Sequence, residues 1–175
     1  MDKKLNKAFN EQINRELHSA YLYQGMYEYL QEMNANGLAN WMEVQVKEEI
    51  AHAKGLIAWV QMHDGEVEYG PIEAVTTDYD SALDVFKAAY EHEQYISKNI
   101  KELAEACQEA GDRASYLFLD WYVMEQVEEE ENARDNIAGL EFAGDDKSAL
   151  LAFDGKMAGR TFAAPAIPHI PPLSL

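Results

Sequence analysis

Four carboxylates and one histidine lie at positions that the sequence pattern assigns to the apolar faces of helices. In four stretches, apolar residues recur every three or four positions, which is the spacing of one face of an α-helix. Each stretch is interrupted near its middle by polar residues: Glu16, then Glu49 with His52, then Glu93, then Gln126 with Glu129. A buried carboxylate is costly without a positive partner, and these faces carry no Lys or Arg. The compensating charge is therefore expected from a bound cation.

The spacing within two of these stretches suits metal coordination. Glu49-x-x-His52 places a carboxylate and an imidazole one helical turn apart, and Gln126-x-x-Glu129 does the same with an amide and a carboxylate. One Glu from each of two further helices completes the composition of a di-iron carboxylate site. Oxygen ligands with a minority of imidazole favour iron or manganese over a tetrahedral structural zinc site. Glu49, beside His52, is the natural carboxylate to bridge two metal ions.

Turn and capping residues divide the chain into four long helices and a short fifth one. The pattern predicts helices over about 4–33, 38–63, 82–110, 113–142 and 146–157. Ser81 is a predicted N-cap, with Asp84 three residues later, and Gly144 is a predicted C-cap. The two short turns make antiparallel hairpins of helices one and two and of helices three and four. In each hairpin the polar interruptions then lie at one level.

The connection between the second and third helices is long enough to decide the topology. Roughly 16 residues can span about 50 Å, whereas a helix of about 26 residues is about 39 Å long. We therefore predict an all-α fold, a four-helix bundle with a long crossover that makes helices two and three parallel, plus the short C-terminal helix. Residues 1–160 form one domain, and residues 161–175 form a Pro-rich tail expected to be extended and mobile.

Composition narrows the function classes. The formal charge is −18, from 32 acidic against 14 basic residues, which disfavours nucleic acid or an anionic membrane as partner and attracts cations. No apolar run of about 20 residues is present, so no membrane span is expected. The first residues lead directly into an amphipathic helix, without a signal-peptide core. A single cysteine, Cys107, excludes an internal disulfide and a Cys-x-x-Cys site, so a cytoplasmic location is expected.

Four segments resemble the prokaryotic non-haem ferritins. They are residues 10–17, 47–52, 90–93 and 121–130, and the resemblance extends over roughly residues 5 to 160. It implies two iron positions in a ferroxidase centre. The implied ligands of the first iron are Glu16, Glu49 and His52. Those of the second are Glu49, Glu93 and Glu129, with Gln126 beside it.

The same resemblance implies further residues around this centre. Glu48, Glu125 and Glu128 match a nearby third iron site, and Glu129 is close to it. The alternative for these acids is a solvated acidic run. Tyr23 matches a tyrosine beside the centre, a candidate electron donor, with an aromatic core residue as the alternative. Trp121 is open to the same two interpretations.

Two departures distinguish the chain from bacterioferritins. Those proteins carry a second Glu-x-x-His, where this chain has Gln126-x-x-Glu129. Ile50 stands where bacterioferritins carry the haem-ligating methionine, so no haem is expected. Loss of an imidazole should weaken the second iron position, which favours transit of iron over a permanent cofactor.

The resemblance implies iron storage and detoxification. Fe(II) would be the substrate, O2 or H2O2 the oxidant, and Fe(III) the product, kept as a ferric oxide mineral inside a homo-oligomeric shell of 24 subunits. The alternative is a rubrerythrin-like di-iron peroxidase or oxidase without mineral, although the chain lacks the Cys-rich module and second Glu-x-x-His of that class. A DNA-protecting miniferritin often has a basic tail. The tail of this chain carries no Lys or Arg after Arg160, so this class is disfavoured. A metal-free scaffold would leave the buried acids unexplained.

Overall fold

The computed structural model describes residues 1–173 of the chain, and in that range every regular element is a helix. The five helices are α1 (Lys3–Glu32), α2 (Asn36–Met62), α3 (Ala82–Glu109), α4 (Arg113–Ala143) and α5 (Lys147–Met157). The predicted all-α fold is confirmed, and the helix bounds agree with the predicted ones to within about two residues. No helix of the described part is both long and apolar enough to cross a membrane.

Side-chain caps explain where most of the helices begin. Asp2 accepts hydrogen bonds from the amides of Lys4 and Leu5 at the start of α1. Ser81 accepts from the amide of Asp84, 3.1 Å away, at the start of α3, as predicted. Such caps satisfy amide groups that have no partner within the helix.

The crossover, residues 63–81 between α2 and α3, runs along α1. Three asparagines spaced four residues apart on α1 hold it by hydrogen bonds. Asn6 accepts a hydrogen bond from the amide of Glu66 at 3.0 Å, and Asn10 from the amide of Glu68 at 2.8 Å. Asn14 accepts from the amide of Gly70 at 3.1 Å.

At the far end of α1, the ring of Tyr29 packs against the ring of Tyr79, with 5.4 Å between the centroids. The crossover therefore spans almost the whole of α1, from the start of the helix to its last turns. Since α2 runs antiparallel to α1, this course makes α2 and α3 parallel, as the length of the connection predicts.

Two hydrophobic clusters fill the bundle, one on each side of a polar level. The first includes Phe9, Leu56, Ile100 and Phe118. The second includes Met26, Met42, Phe86 and Leu140. Along each of the four long helices, the predicted polar positions fall between the residues of the two clusters. The apolar packing on both sides thus holds the polar side chains at one depth in the bundle.

Helix α5 packs across the beginning of α2, where no cap comes from the preceding residue. The Asp154 side chain of α5 accepts a hydrogen bond from the amide of Leu38 at 2.9 Å. Asn40 donates to the carbonyls of Met157 and Arg160, at 3.2 and 3.0 Å. An aspartate from a helix distant in sequence therefore serves as the cap of α2.

The Pro-rich tail has no helix or strand in residues 161–173, as predicted, but it is not detached from the bundle. Ile167 is only 4% exposed and belongs to the first hydrophobic cluster, with Ile170 and Leu173 partly buried against it. A side chain at Gly55 would collide with Ile167, since its Cβ would lie 2.4 Å from the Cδ1 atom. The expectation of a mobile tail is therefore wrong for these residues. The Ile167 side chain packs into the space that Gly55 leaves because it has no side chain of its own. Residues 174 and 175 lie outside the described part.

Two glycine substitutions test the packing of α5. A methyl group at Gly37 would lie 1.7 Å from the carbonyl oxygen of Asp154, so α5 must shift. We expect Gly37→Ala to destabilise α5 by about 1–3 kcal/mol. Nothing lies within 4 Å of the corresponding position at Gly155, inside α5. Gly155→Ala should therefore stabilise α5 by about 0.5–1 kcal/mol.

Hydrogen–deuterium exchange of the α5 amides measures both effects. Protection should fall in Gly37→Ala and rise in Gly155→Ala. Unchanged protection of α5 in the Gly37→Ala chain would contradict the close contact of the two helices.

Candidate metal centre

Three of the predicted side chains converge closely enough to share one ion. Glu16 of α1 and Glu49 and His52 of α2 each offer one ligand atom, and these atoms lie within 4.8 Å of one another. All three side chains are buried. Their convergence follows from the antiparallel hairpin of α1 and α2, because both helices turn their interrupted apolar faces to the bundle axis.

Two atoms of this group are buried without a partner in the described part of the chain. Gln12 donates a hydrogen bond to Oε1 of Glu16 at 2.8 Å, while Oε2 accepts none. The Nε2 atom of His52 also lacks a hydrogen bond, and it lies 3.9 Å from an oxygen of Glu125. Buried polar atoms without partners are rare in native proteins. An oxygen and an imidazole nitrogen left free at one place fit the needs of a metal ion.

The carboxylates of Glu93 on α3 and Glu129 on α4 lie beside this group, close enough to raise the pKa of Glu49, and neutral donors hold them. Tyr23 donates a short hydrogen bond to Oε1 of Glu93, and Gln126 donates to Oε2 of the same residue at 2.9 Å. Gln45 donates to Oε2 of Glu129 at 3.0 Å. Amide and phenol groups therefore orient these carboxylates without neutralising their charge.

Burial and mutual repulsion disfavour the charged form of these acids. The pKa of Glu49 is raised well above its ordinary value, first by burial and then by Glu93 and Glu16. Burial, with repulsion from Glu129, raises the pKa of Glu93 to about 8. Burial also raises the pKa of Glu129. No Lys or Arg side chain is buried among residues 1–173, so protons or bound cations must balance these acids.

The acids predicted for a third metal position lie at the rim of this centre. The side chains of Glu48 and Glu125 are 20% and 26% exposed, and Glu128 is exposed. Burial is the largest cause of the raised pKa of Glu125, to which repulsion from Glu129 and Glu128 adds. The rim therefore joins the buried acids to solvent through partly exposed carboxylates.

Arg160 contacts this rim, and sequence reasoning missed it. Its guanidinium lies 2.6 Å from Oε2 of Glu48, with its carbon 4.5 Å from the ring centroid of Trp41. It also donates to the Trp41 carbonyl at 3.2 Å. Burial raises the pKa of Glu48, and Arg160 opposes that shift. The residue follows α5, in a segment without periodicity, so no pattern connects it to α2.

Gln12 and Gln45 were also missed as functional residues. Each lies four residues before a carboxylate of the centre, Glu16 and Glu49 respectively, on a buried face. This spacing was the available signal, since a polar amide one turn before a buried acid is placed to hydrogen-bond within the site.

The two aromatic residues with open interpretations both contact the centre. Tyr23 is fully buried and bonds to Glu93, and its pKa is raised by burial and by Glu93. The ring centroid of Trp121 lies 5.8 Å from that of His52. The neighbouring Tyr122 donates to the carbonyl of His52 at 2.9 Å. Tyr23 and Tyr122 are buried core residues, Trp121 is partly buried against the first hydrophobic cluster, and all three adjoin the centre.

On the side of α1 and α3, His92 lies next to the centre. Burial, with the nearby His18, lowers the pKa of His92 to about 4, so the ring is neutral at pH 7. Its ring contacts Tyr23 edge-on, with 6.3 Å between centroids.

Comparison with known proteins agrees with this arrangement. The family model of the ferritin-like domain matches residues 6–143. The bacterial non-heme ferritin of Campylobacter jejuni is 35% identical over 154 residues, which cover 88% of this chain and 92% of the relative. That of Staphylococcus aureus is 32% identical over 162 residues, which cover 93% of this chain and 98% of the relative.

Solved structures show the same similarity. An engineered closed form of the Archaeoglobus fulgidus ferritin superposes with a TM-score of 0.92 and 40% identity, covering 93% of this chain and 99% of the other. The open-pore ferritin of the same archaeon gives a TM-score of 0.90 and 41% identity, with coverage of 92% and 99%. With its helix order, its buried carboxylate centre and these relatives, the chain belongs to the ferritin family.

Proposed function

We propose that the chain is a ferroxidase and iron-storage subunit. Two Fe(II) ions enter the buried centre as substrate, lose one electron each to O2 or H2O2, and leave as Fe(III) for a stored ferric oxide mineral. The observation that carries this proposal is the group of buried carboxylates with no buried Lys or Arg in residues 1–173. The relatives named non-heme ferritins support iron as the ion.

In this proposal, the first Fe(II) binds Glu16, Glu49 and His52. Their free atoms, Oε2 of Glu16 and Nε2 of His52, support this assignment. The carbonyl contact from Tyr122 fixes the backbone of His52. Gln12 holds the other oxygen of Glu16 and so orients the carboxylate toward the ion.

The second Fe(II) binds Glu93 and Glu129 and shares Glu49 as the bridge, with Gln126 beside it. Two metal ions held by a shared carboxylate can deliver two electrons to one oxidant, and anionic oxygens stabilise the Fe(III) product. Binding of this ion displaces the proton of Glu93, whereas the free lone pairs of its two oxygens can take the ion beside the hydrogen bonds from Tyr23 and Gln126. With no second histidine, the position should bind iron moderately, which suits release to a mineral. Tyr23, bonded to Glu93, is placed to supply an electron or a proton.

The rim acids provide a route by which iron leaves the buried centre. Glu48, Glu125 and Glu128 form a third position, close to Glu129, that leads from the buried centre toward solvent. Arg160 occupies the Glu48 side of this position in the absence of metal. An incoming cation must therefore compete with the guanidinium for Glu48.

Self-assembly into a shell of 24 subunits in the cytoplasm completes the proposal. Large apolar side chains are exposed on several elements of the described chain. Tyr21 of α1 and Tyr69 of the crossover are 51% and 67% exposed, and Phe142 and Leu151 near the α4–α5 turn are 96% and 72% exposed. Exposed apolar side chains of this size favour association. The family relation supports copies of the same chain as the partner.

Removing the bridging carboxylate tests the centre. Glu49→Ala should slow the first phase of aerobic Fe(II) oxidation at least 100-fold, because both iron positions lose a ligand. Stopped-flow absorbance after anaerobic loading measures this phase, and later uptake of many Fe(II) per chain into a large particle measures storage. Glu43→Ala is the control, since Glu43 lies on the same helix but is exposed and paired with Lys47.

A fast phase retained in Glu49→Ala would place the oxidation elsewhere. Stoichiometric oxidation without mineral, on a small oligomer, would instead indicate a di-iron peroxidase or oxidase.

The raised pKa of Glu93 predicts a pH dependence of stability in the metal-free chain. Between about pH 4.5 and pH 8 the folded chain keeps the Glu93 proton that the unfolded chain releases. Stability should therefore fall as pH rises through this window, by up to about 1.4 kcal/mol per pH unit for this group. Urea unfolding of metal-free wild type and Glu93→Gln at pH 5, 6, 7 and 8 should show a shallower fall in the variant. Parallel curves would mean that Glu93 is already ionised in the folded chain.

Arg160→Gln tests the competition at the rim. Removing the guanidinium should let a third divalent ion per chain bind about tenfold more tightly, with the first two unchanged. Anaerobic Co(II) titration of wild type and Arg160→Gln, followed by visible absorbance, measures the change in affinity at the rim. Lys156→Gln is the control, because Lys156 lies over the ring of Phe153 and not at the rim. An unchanged third affinity in Arg160→Gln would show that Glu48 takes no part in metal binding.

A further inference from the structure

A cavity opens between α1, α3 and the crossover, on the side of the centre opposite to the rim acids. Its volume is about 490 Å³, and its lining includes His18, His92 and Glu73. The two imidazoles face each other across it, with 6.0 Å between ring centroids and 50° between ring planes. None of these three residues has a part in the centre described above.

The hydrogen bonds of His92 leave a ring nitrogen free to bind a metal ion. Ser19 has a single hydroxyl proton, and it donates that proton to the carbonyl of Arg15, 3.0 Å away, because a carbonyl can only accept. With the Ser19 proton on the Arg15 carbonyl, the 2.7 Å contact between Ser19 Oγ and His92 Nε2 has the imidazole as donor, which is the tautomer protonated on Nε2. The lone pair of His92 is consequently on Nδ1. A histidine that donates one N–H to a fixed oxygen has the arrangement of most metal-ligating histidines.

The separation of the rings suits one shared ion. A transition metal lies about 2.0–2.1 Å from an imidazole nitrogen, so the centroids of two rings on one ion are about 5–6.5 Å apart. The observed 6.0 Å falls in this range. The ring of His18 makes no hydrogen bond within residues 1–173. Glu73 also lines the cavity, but its carboxylate does not converge with both imidazoles to within 4.8 Å, so the two histidines are the protein ligands of this site. Arg15 also lines the cavity, but its guanidinium is engaged with Gln12, Glu11 and Tyr95.

We propose that His18 and His92 form a binding site for a divalent transition-metal ion, at which Fe(II) is held before it enters the buried centre. The role in iron entry rests on the proposed ferroxidase function, whereas the metal site itself does not.

The contacts of His92 connect this site with the centre. His92 precedes Glu93 in α3, and its ring packs against Tyr23, which bonds to Glu93. Ser19 contacts the His92 ring, and Tyr23 contacts both that ring and Glu93, so a continuous line of contacts joins the cavity to a carboxylate of the second iron position. Entry here and exit past Glu48 would give iron separate routes on opposite sides of the bundle.

The metal site is tested with the centre disabled. Co(II) is a suitable probe because it binds nitrogen ligands more tightly than Fe(II) and its visible absorption reports them. In Glu49→Ala protein, we expect one Co(II) per chain with imidazole coordination in this cavity, besides any Co(II) that the rim carboxylates hold, and the visible absorption distinguishes nitrogen from oxygen ligands. Adding His18→Asn should weaken this binding at least tenfold. Adding His169→Asn, at an exposed histidine of the tail with φ of 67°, should leave it unchanged. Equal Co(II) affinity in the two double variants would overturn the site.

The role in iron entry is tested in the otherwise intact chain. His18→Asn should raise the Fe(II) concentration for half-maximal initial oxidation rate three- to tenfold, with a much smaller change in the rate at saturating Fe(II). The His169→Asn control should match wild type. An unaltered half-saturating concentration in His18→Asn would overturn the entry role. If wild type itself shows no fast oxidation, the ferroxidase proposal fails, and the Co(II) titration still decides the metal site.

Discussion

The cost of burying carboxylates without a basic partner is the constraint on which this structure depends. Glu16, Glu49, Glu93 and Glu129 are each at most 4% exposed, and His52 is the only buried group near them that can carry positive charge in the described chain. Ionised acids in such a place repel one another and lose their hydration. A chain with this interior must hold protons when empty and cations when loaded. Both states are accessible near neutral pH when pKa values lie as high as that of Glu93, about 8.

The rest of the fold maintains this costly level in the bundle. Hydrophobic clusters above and below it supply the stability that the polar level lacks. The long crossover places α3 parallel to α2, so carboxylates from all four long helices reach the same depth. Neutral donors, among them Gln12, Gln45 and Tyr23, hold the carboxylates in position without cancelling their charge. The carboxylates are therefore held in place before any cation binds. Their ionised form, which burial and mutual repulsion destabilise, becomes favourable when cations replace the protons.

Sequence periodicity was sufficient to predict the bundle and the polar level, because both repeat with the helix. A Glu within a stripe of apolar residues marks a buried acid without any knowledge of tertiary contacts, and the length of one connection determined the topology. The contacts that could not be predicted involve segments with no period. Arg160 meets Glu48, and Ile167 fills the space beside Gly55, only because the chain after α5 folds back on α2. Likewise, the four-residue spacing of Asn6, Asn10 and Asn14 can be read from the sequence. The backbone amides of the crossover that bond to them follow no pattern, so these contacts could not be predicted.

Anomalous X-ray diffraction from crystals soaked anaerobically in Fe(II) tests the central claim most directly. We predict two iron peaks per chain at the level of the buried acids. One should lie among Glu16, Glu49 and His52, and the other among Glu49, Glu93 and Glu129, with Glu49 between them. Iron found only on exposed acids, with the buried carboxylates still bonded to Tyr23, Gln45 and Gln126 as in the metal-free chain, would contradict it.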